Sequence, residues 1–308
     1  EYVESAVNDL LPHLKDGQLV ILRSTVPVGT SRNFVLPMLK KTGKNIYLSF
    51  CPERTAEGKA IEELKTLPQI IGGLNEESTN LSGELFSKIT PIIVKTSSLE
   101  SAEIIKLINN SYRDFSFAFA NQIALICKSL NLDAKDVINS ANKGYKRSDI
   151  AHPGFVGGLK PGFVGGVCLE KDPYILLDLS NPNGIEGGLI KAARMINESL
   201  PGQVFESIKS HLESKSKNLN NAKIFISGLA FKGRPETDDL RGSPALRLLD
   251  IFKKFNFKQV YAHDFIVEEK NIKKLGLIPC SIEEGMNQTD VAIFMNNHKK
   301  YSEIDIAS

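Results

Sequence analysis

KIFISGLAFKGRPETDDLRGSPALRLLDIFKKF, Lys223–Phe255, reads as a strand, a loop and a helix in succession. Its opening, KIFISGLAFK (Lys223–Lys232), begins with a short apolar run of the kind a buried strand needs, then passes into a loop. SPALRLLDIFKKF (Ser243–Phe255) has helical spacing of its apolar residues, with Ser243 at the capping position. Pro244 falls in the first turn, where a missing N–H costs nothing. QVYAHD (Gln259–Asp264) and VAIFM (Val291–Met295) are further strand patterns. Strands alternating with helices predict an α/β domain.

The same alternation fills the N-terminal third. After a helical Tyr2–Leu14, LVIL (Leu19–Leu22) ends in the loop Ser24–Thr30, and NIYLSF (Asn45–Phe50) ends in a loop with Cys51, Pro52 and Glu53. PQIIGG (Pro68–Gly73), a helical Glu76–Ile89 and PIIVKT (Pro91–Thr96) complete it, so a parallel sheet with helices on its faces is expected. The middle differs. Ser98–Leu130 is helical almost throughout, with Glu103, Lys106 and Asn110 on one stripe. A helix near Ala134–Asn142 follows, then the Gly/Pro-rich His152–Gly166, in which PGFVGG occurs twice; helical patterning dominates Gly187–Leu212. Polar Lys215–Asn221 marks a boundary. The expectation is an α/β protein: two Rossmann-like parallel-sheet domains, the first incomplete, joined by a central all-helical domain. The divisions fall at 1–97, 98–214 and 215–308.

The 308 residues are 42% hydrophobic and 24% charged, with a net charge of +2, which fits sizeable cores and offers no broad field for nucleic acid. No apolar run reaches the roughly 18–20 residues of a membrane span, and no secretory leader is visible around Glu4 and Asp9. Cys51, Cys127, Cys168 and Cys280 form no CxxC pair and have no histidine at zinc spacing. His13, His152, His211, His263 and His298 show no metal or triad spacing. No metal, no disulfide framework and a reducing cytoplasm are expected.

The sharpest chemical signal is GFVGGVCLEKDP, Gly162–Pro173. Gly162, Gly165 and Gly166 let backbone approach a ligand closely. Cys168 stands at a loop-to-helix junction, where the helix N-terminus and a nearby cation such as Lys171 can stabilise a thiolate. Asp172 follows one helical turn later.

This run resembles the active-site cysteine motif of the UDP-glucose/GDP-mannose dehydrogenase family. Four other stretches resemble that family's motifs, in order: STVPVGT (Ser24–Thr30), CPERTAEGKA (Cys51–Ala60), EIIKLINN (Glu103–Asn110) and GLAFKGRPETDDLRGSP (Gly228–Pro244). The resemblance implies oxidation of a UDP-sugar C6 alcohol to a carboxylate using two NAD+ in turn, with Cys168 as covalent nucleophile. It makes Lys106 and Asn110 donors to a developing oxyanion, Asp172 and Thr25 positioners of water and protons, and Glu53 the hydrolytic base. Thr25, Glu57 and Lys171 would meet the cofactor. Glu57, Arg54, Gly162, Phe163, Gly165, Gly166, Phe231, Lys232 and Arg241 would meet the substrate. Arg147 resembles an arginine offered across a subunit interface to the neighbouring subunit's substrate, so the resemblance implies a homodimer or higher homo-oligomer.

PERTAEG is similar to the branch acting on UDP-N-acetylhexosamines, such as UDP-N-acetylmannosamine or UDP-N-acetylglucosamine. The alternative, a UDP-glucose 6-dehydrogenase, usually has an aromatic residue where Arg54 stands. The family's GxGxxG loop is not found before Tyr2, and Gly228–Gly233 is no substitute because it lies in the third domain. A truncated, non-catalytic UDP-sugar-binding or dimerisation fragment is therefore a second reading. A two-electron hydroxy-acid type of dehydrogenase is a third, but it lacks a counterpart to Cys168.

Overall fold

The structure is a computed structural model that describes residues 2–143, 162–180 and 187–304. Two compact units emerge, Glu1–Tyr112 with Asp172–Gly187, and Arg113–Lys171 with Gly188–Ser308.

The first unit contains α1 (Tyr2–Leu10), β1 (Leu19–Leu22), α2 (Leu36–Lys40), β2 (Tyr47–Phe50), α3 (Ala60–Thr66), β3 (Gln69–Gly73), α4 (Glu76–Phe86) and β4 (Ile93–Lys95). One turn of π-helix, Ser31–Val35, leads into α2. The four strands lie in the order β1-β2-β3-β4. β1 pairs parallel with β2, and β3 with β4. β2 and β3 run antiparallel, Ser49 opposite Gly73 and Phe50 opposite Gly72. This corrects the uniformly parallel sheet expected for this segment. The cause lies in the β2–β3 connection. Its Cys51–Lys59 part is not helical, and α3 has only 7 residues, about 10 Å of helix. It does not act as a crossover helix, so β3 re-enters from the end where β2 left. Leu22, Leu48, Phe50 and Ile70 form the core with Leu39, Leu99 and Ala102. Cys51 is fully buried, and burial pushes its thiol up to about 12, which suits a packing residue.

Two long helices contribute residues to both units, α5 (Leu99–Ser129) and α7 (Val167–Ser180). α6 (Ala134–Asn142) and α8 (Gly188–Ser214) belong to the second unit. Asp133 caps α6 by accepting from the Lys135 amide.

The second unit continues with β5 (Lys223–Ser227), α9 (Pro244–Lys254), β6 (Gln259–His263), α10 (Glu269–Lys274), β7 (Ile278–Pro279), α11 (Ile282–Gln288) and β8 (Val291–Phe294). Its sheet is parallel throughout, in the order β7-β6-β5-β8. The strand order reverses between β5 and β8. In such sheets ligands gather outside the carboxyl ends of the strands at that reversal. Ile224 and Ile226 of β5 pack with Leu248 and Phe252 of α9 and Phe205, Ile208 and Leu212 of α8. Phe205 and Phe255 lie 4.4 Å apart between ring centroids.

Candidate active site

In the first unit, the loops leaving β1 and β2 carry Thr25, Glu53, Arg54 and Glu57, as expected for α/β sites. Thr25, Glu53 and Arg54 are partly buried and Glu57 is exposed. One Glu53 oxygen accepts the Thr55 amide at 2.8 Å, and the other is paired with Arg23. Arg23 also reaches Gln69 at 3.3 Å and lies 4.9 Å from the Phe86 ring centroid. Burial raises the Glu53 carboxyl, but the Thr55 amide and Arg23 outweigh it and hold the group below the usual range. Glu53 is therefore ionised at neutral pH. Arg54 donates to the Pro68 carbonyl and to Asn109 of α5 at 3.4 Å. Its head is thus engaged with the chain, and burial lowers the stability of its charge.

Glu103 is 1% exposed and grips the loop after β1. Its two oxygens accept the Gly29 amide at 2.6 Å and the Ser31 amide at 2.8 Å. The Ser31 amide opens the π-helical turn and the Gly29 amide just precedes its cap, Thr30, so a carboxylate stands at a helix N-terminus, where the dipole favours it. Lys106 and Asn110, on the same α5 stripe, are half-buried. Asn110 donates to Asp172 at 2.6 Å across 62 residues of sequence, and Asp172 is wholly buried.

In the second unit, Gly162–Lys171 packs on the loop after β5. Cys168 is exposed as the second residue of α7, and Lys171 is exposed further along it. The Gly166 amide donates to Gly242 at 2.9 Å. Gly166 has φ +93°, and a Cβ there would lie 2.8 Å from the Phe231 ring. A Cβ on Gly165 would lie 2.5 Å from the Gly242 oxygen and from Pro244. Both glycines are thus required by close approach. Gly162 is exposed, and Phe163 packs on the apolar core. Glu170 pairs with Arg247 at 2.8 Å. It is the second PGFVGG copy that meets Phe231 and Gly242; the first copy, like Arg147, lies outside the described residues.

Lys232 sits 5.0 Å from the Phe231 ring centroid, and exposed Arg241 is forked onto Asp239 at 2.7 Å. Ser243 caps α9 by accepting the Ala245 amide at 3.2 Å and donates to Leu229 at 2.6 Å. Asp264, at the end of β6, accepts the Leu229 and Ala230 amides at 2.7 and 3.1 Å. Those amides follow Gly228 in the loop after β5, where a dinucleotide-binding turn would offer donors to phosphate. Asp264 was not picked out from sequence, nor was Glu103 as an anchor. The only signal for Glu103 is a carboxylate within a stripe that also carries Lys106 and Asn110.

Among the described residues, no three His, Cys, Asp or Glu side chains are grouped to hold a metal ion, and no helix is long and apolar enough to cross a membrane.

Residues 1–90 match the NAD binding domain of the UDP-glucose/GDP-mannose dehydrogenase family, 100–199 its central domain and 225–308 its UDP binding domain. The NAD-binding domain is thus represented, although residues 1–90 hold no GxGxxG loop. A UDP-N-acetyl-D-mannosamine dehydrogenase of Methanococcus aeolicus is 34% identical over 307 residues, covering 98% of this chain and 64% of the relative. The enzyme of that name from Campylobacter jejuni is 32% identical over 324 residues, covering 99% of this chain and 74% of the relative. The solved UDP-D-ManNAc dehydrogenase of Pyrococcus horikoshii superposes with a TM-score of 0.86 at 30% identity, covering 99% of this chain and 69% of that one. With all three domains matched in order, the chain belongs to the UDP-glucose/GDP-mannose dehydrogenase family.

Proposed function

We propose that the chain serves the NAD-dependent, four-electron oxidation of the C6 alcohol of a UDP-N-acetylhexosamine to the uronic acid. The observation that carries this reading is the Asn110–Asp172 hydrogen bond of 2.6 Å. It joins two motifs that the sequence keeps far apart, and it buries a carboxylate that only a partnered site tolerates. The N-acetylmannosamine form is favoured by the names of the relatives. Arg54 does not decide it, because its head is held by Pro68 and Asn109. A division into 1–97, 98–214 and 215–308 accompanies this reading, with the first segment for NAD, the second for catalysis and dimerisation, and the third for the UDP-sugar.

The residues after β1 and β2 fit the nicotinamide-ribose end of NAD. A Thr25 hydroxyl and a Glu57 carboxylate suit amide and hydroxyl groups, while the Gly29 and Ser31 amides are already taken by Glu103. Lys171 adds a cation. The chemistry NAD+ supplies when bound is hydride acceptance, once for each of the two oxidations.

The chain's own residues do the rest. Cys168 sulfur bonds to the aldehyde carbon, and the carbonyl oxygen takes up a proton to give a thiohemiacetal. After the second oxidation this carbon is a thioester. Water then adds to it, the C–S bond breaks, and the thiol and the carboxylate are released. Lys106 and Asn110 stabilise the oxyanion, a contribution of about 2.7–4 kcal/mol per donor. Asp172 holds Asn110 in place. Glu53, ionised but weakly basic because of the Thr55 amide and Arg23, orients the hydrolytic water with Thr25. In the second unit Gly162, Phe163, Gly165 and Gly166 shape the sugar side, and Phe231, Lys232 and Arg241 meet the nucleotide. Exposed Phe115, Phe119 and Ile126 of α5, at helical spacing, favour a homodimer. Free thiols at all four cysteines suit the cytoplasm.

The test is NADH formation with UDP-N-acetylmannosamine, with UDP-glucose as comparator. Two NADH per sugar are expected, and Cys168→Ser should abolish acid release. One NADH per sugar, or full activity in Cys168→Ser, would overturn the covalent mechanism.

A further inference from the structure

The first turn of α7 contains a defect that the sequence builds in. In an α-helix the carbonyl of Leu169 accepts from the amide four residues on. That residue is Pro173, inside α7, which has no N–H. A buried carbonyl without a donor is costly, so its partner must come from elsewhere. It comes from Arg194 of α8, whose Nη1 donates to the Leu169 oxygen at 2.9 Å.

Arg194 is 1% exposed, the largest side chain buried so completely among the described residues. The same Nη1 donates to Asp114 of α5 at 2.6 Å, and Asp114 is also 1% exposed. Asn197, three residues further along α8, donates to Asp114 at 2.8 Å and accepts from Asn121 at 3.0 Å. Asn121 in turn accepts the Gly162 amide at 2.7 Å. One buried polar chain therefore starts at the Gly162 amide and ends at the Leu169 carbonyl. Those two backbone groups bracket the segment that carries Cys168, and every member lies in the second unit.

We propose that Arg194 and Asn121 are positioning residues for Cys168: Arg194 supplies the donor that Pro173 denies to Leu169, and Asn121 pins the start of the glycine run. Neither touches substrate; both act through backbone. An arginine suits the task because its planar fork can serve a carboxylate and a carbonyl together, which an ammonium on a flexible stem does less well. The inference rests on the role of Cys168 proposed above, but its backbone part can be tested without turnover.

Arg194→Met alone would strand the buried Asp114 carboxylate, so the working variant is Arg194→Met/Asp114→Leu, which removes both charges and keeps apolar volume. Hydrogen exchange of the Gly162–Asp172 segment should quicken about 10-fold or more, the equivalent of one lost charge-assisted bond. Far-UV circular dichroism should show a folded chain with a cooperative melt. Acid formation should lose kcat on the order of 10- to 100-fold, with KM for the UDP-sugar little changed. Adding Pro173→Ala restores an N–H to the helix and should recover both the exchange rate and kcat. Asn121→Ala should quicken exchange at Gly162 without this rescue. Unchanged exchange in the double variant, or exchange that Pro173→Ala leaves fast, would overturn the proposal. A parent chain that forms no acid would count against the enzymatic reading, and the exchange measurements would still decide this one.

Discussion

Replacing Glu103 with glutamine isolates the contact that ties α5 to the loop after β1. The carboxylate accepts two buried amides, Gly29 at 2.6 Å and Ser31 at 2.8 Å. Hydrogen bonds to a charged group are each worth about 1.5–3 kcal/mol. Glutamine keeps one oxygen but turns its NH2 toward the other amide, so one bond is lost and one buried donor is left facing another. The net cost should be about 2–3 kcal/mol. Spread over a body of this size, that is a fall of about 4–10 °C in melting temperature. The chain has no tryptophan, so far-UV circular dichroism is the natural global probe. Because two units need not unfold together, the decisive assay is hydrogen exchange at Gly29–Val35. Local opening there should rise on the order of 30- to 150-fold. Acid formation should fall as well, because Lys106 and Asn110 ride on the same helix stripe. A melting shift worth less than about 0.5 kcal/mol, with exchange at Gly29 and Ser31 unchanged, would refute the reasoning.

Gly166→Ala combines a left-handed φ with a Cβ 2.8 Å from the Phe231 ring; it should destabilise the second unit by roughly 1–3 kcal/mol, read by urea unfolding, and weaken UDP binding in calorimetry. Ser243→Ala removes both the α9 cap and the bond to Leu229, and should cost about 1–2 kcal/mol with faster exchange at Ala245. Lowering the pH should weaken the fold in a definite window. The Glu53, Glu100 and Asp290 carboxyls are all held below their ordinary values, Glu100 chiefly by Arg32 and Asp290 chiefly by Lys217. The unfolded chain binds protons first, so the stability these groups give is complete above about pH 5 and is lost as pH falls through their lower folded values. Glu53→Gln should flatten that decline in acid-unfolding curves; an identical curve would remove Glu53 from the account.

Where local pattern and fold agree, the chain was readable. Ile224, Phe225 and Ile226 make an unbroken apolar run because β5 is central in a sheet covered on both faces. The helical middle was equally plain from its period. The antiparallel β2–β3 pair was not. Strand direction depends on how the β2–β3 connection returns, and alternation of β and α patterns is silent about that. Asp172 could be chosen from the cysteine motif and Asn110 from a helix, but their hydrogen bond spans 62 residues, beyond any local signal. Arg194 was missed for a related reason. A lone arginine in a helix reads as solvated, and its burial comes from Asp114 and from a carbonyl left open by a proline 21 residues earlier in the chain, at Pro173.

Asp264 has a consequence for how this chain meets a nucleotide. By taking the Leu229 and Ala230 amides, it places the chain's own anion where backbone donors would otherwise receive a diphosphate. If the chain takes a UDP-sugar as proposed, the charge of UDP is then answered by side chains such as Lys232 and exposed Arg241. Fixed amides in a sheltered turn are little affected by ions, whereas exposed cations are screened over about 8 Å at physiological ionic strength. UDP binding to the second unit should therefore weaken as salt rises, a sensitivity that a glycine-turn phosphate cradle would largely lack.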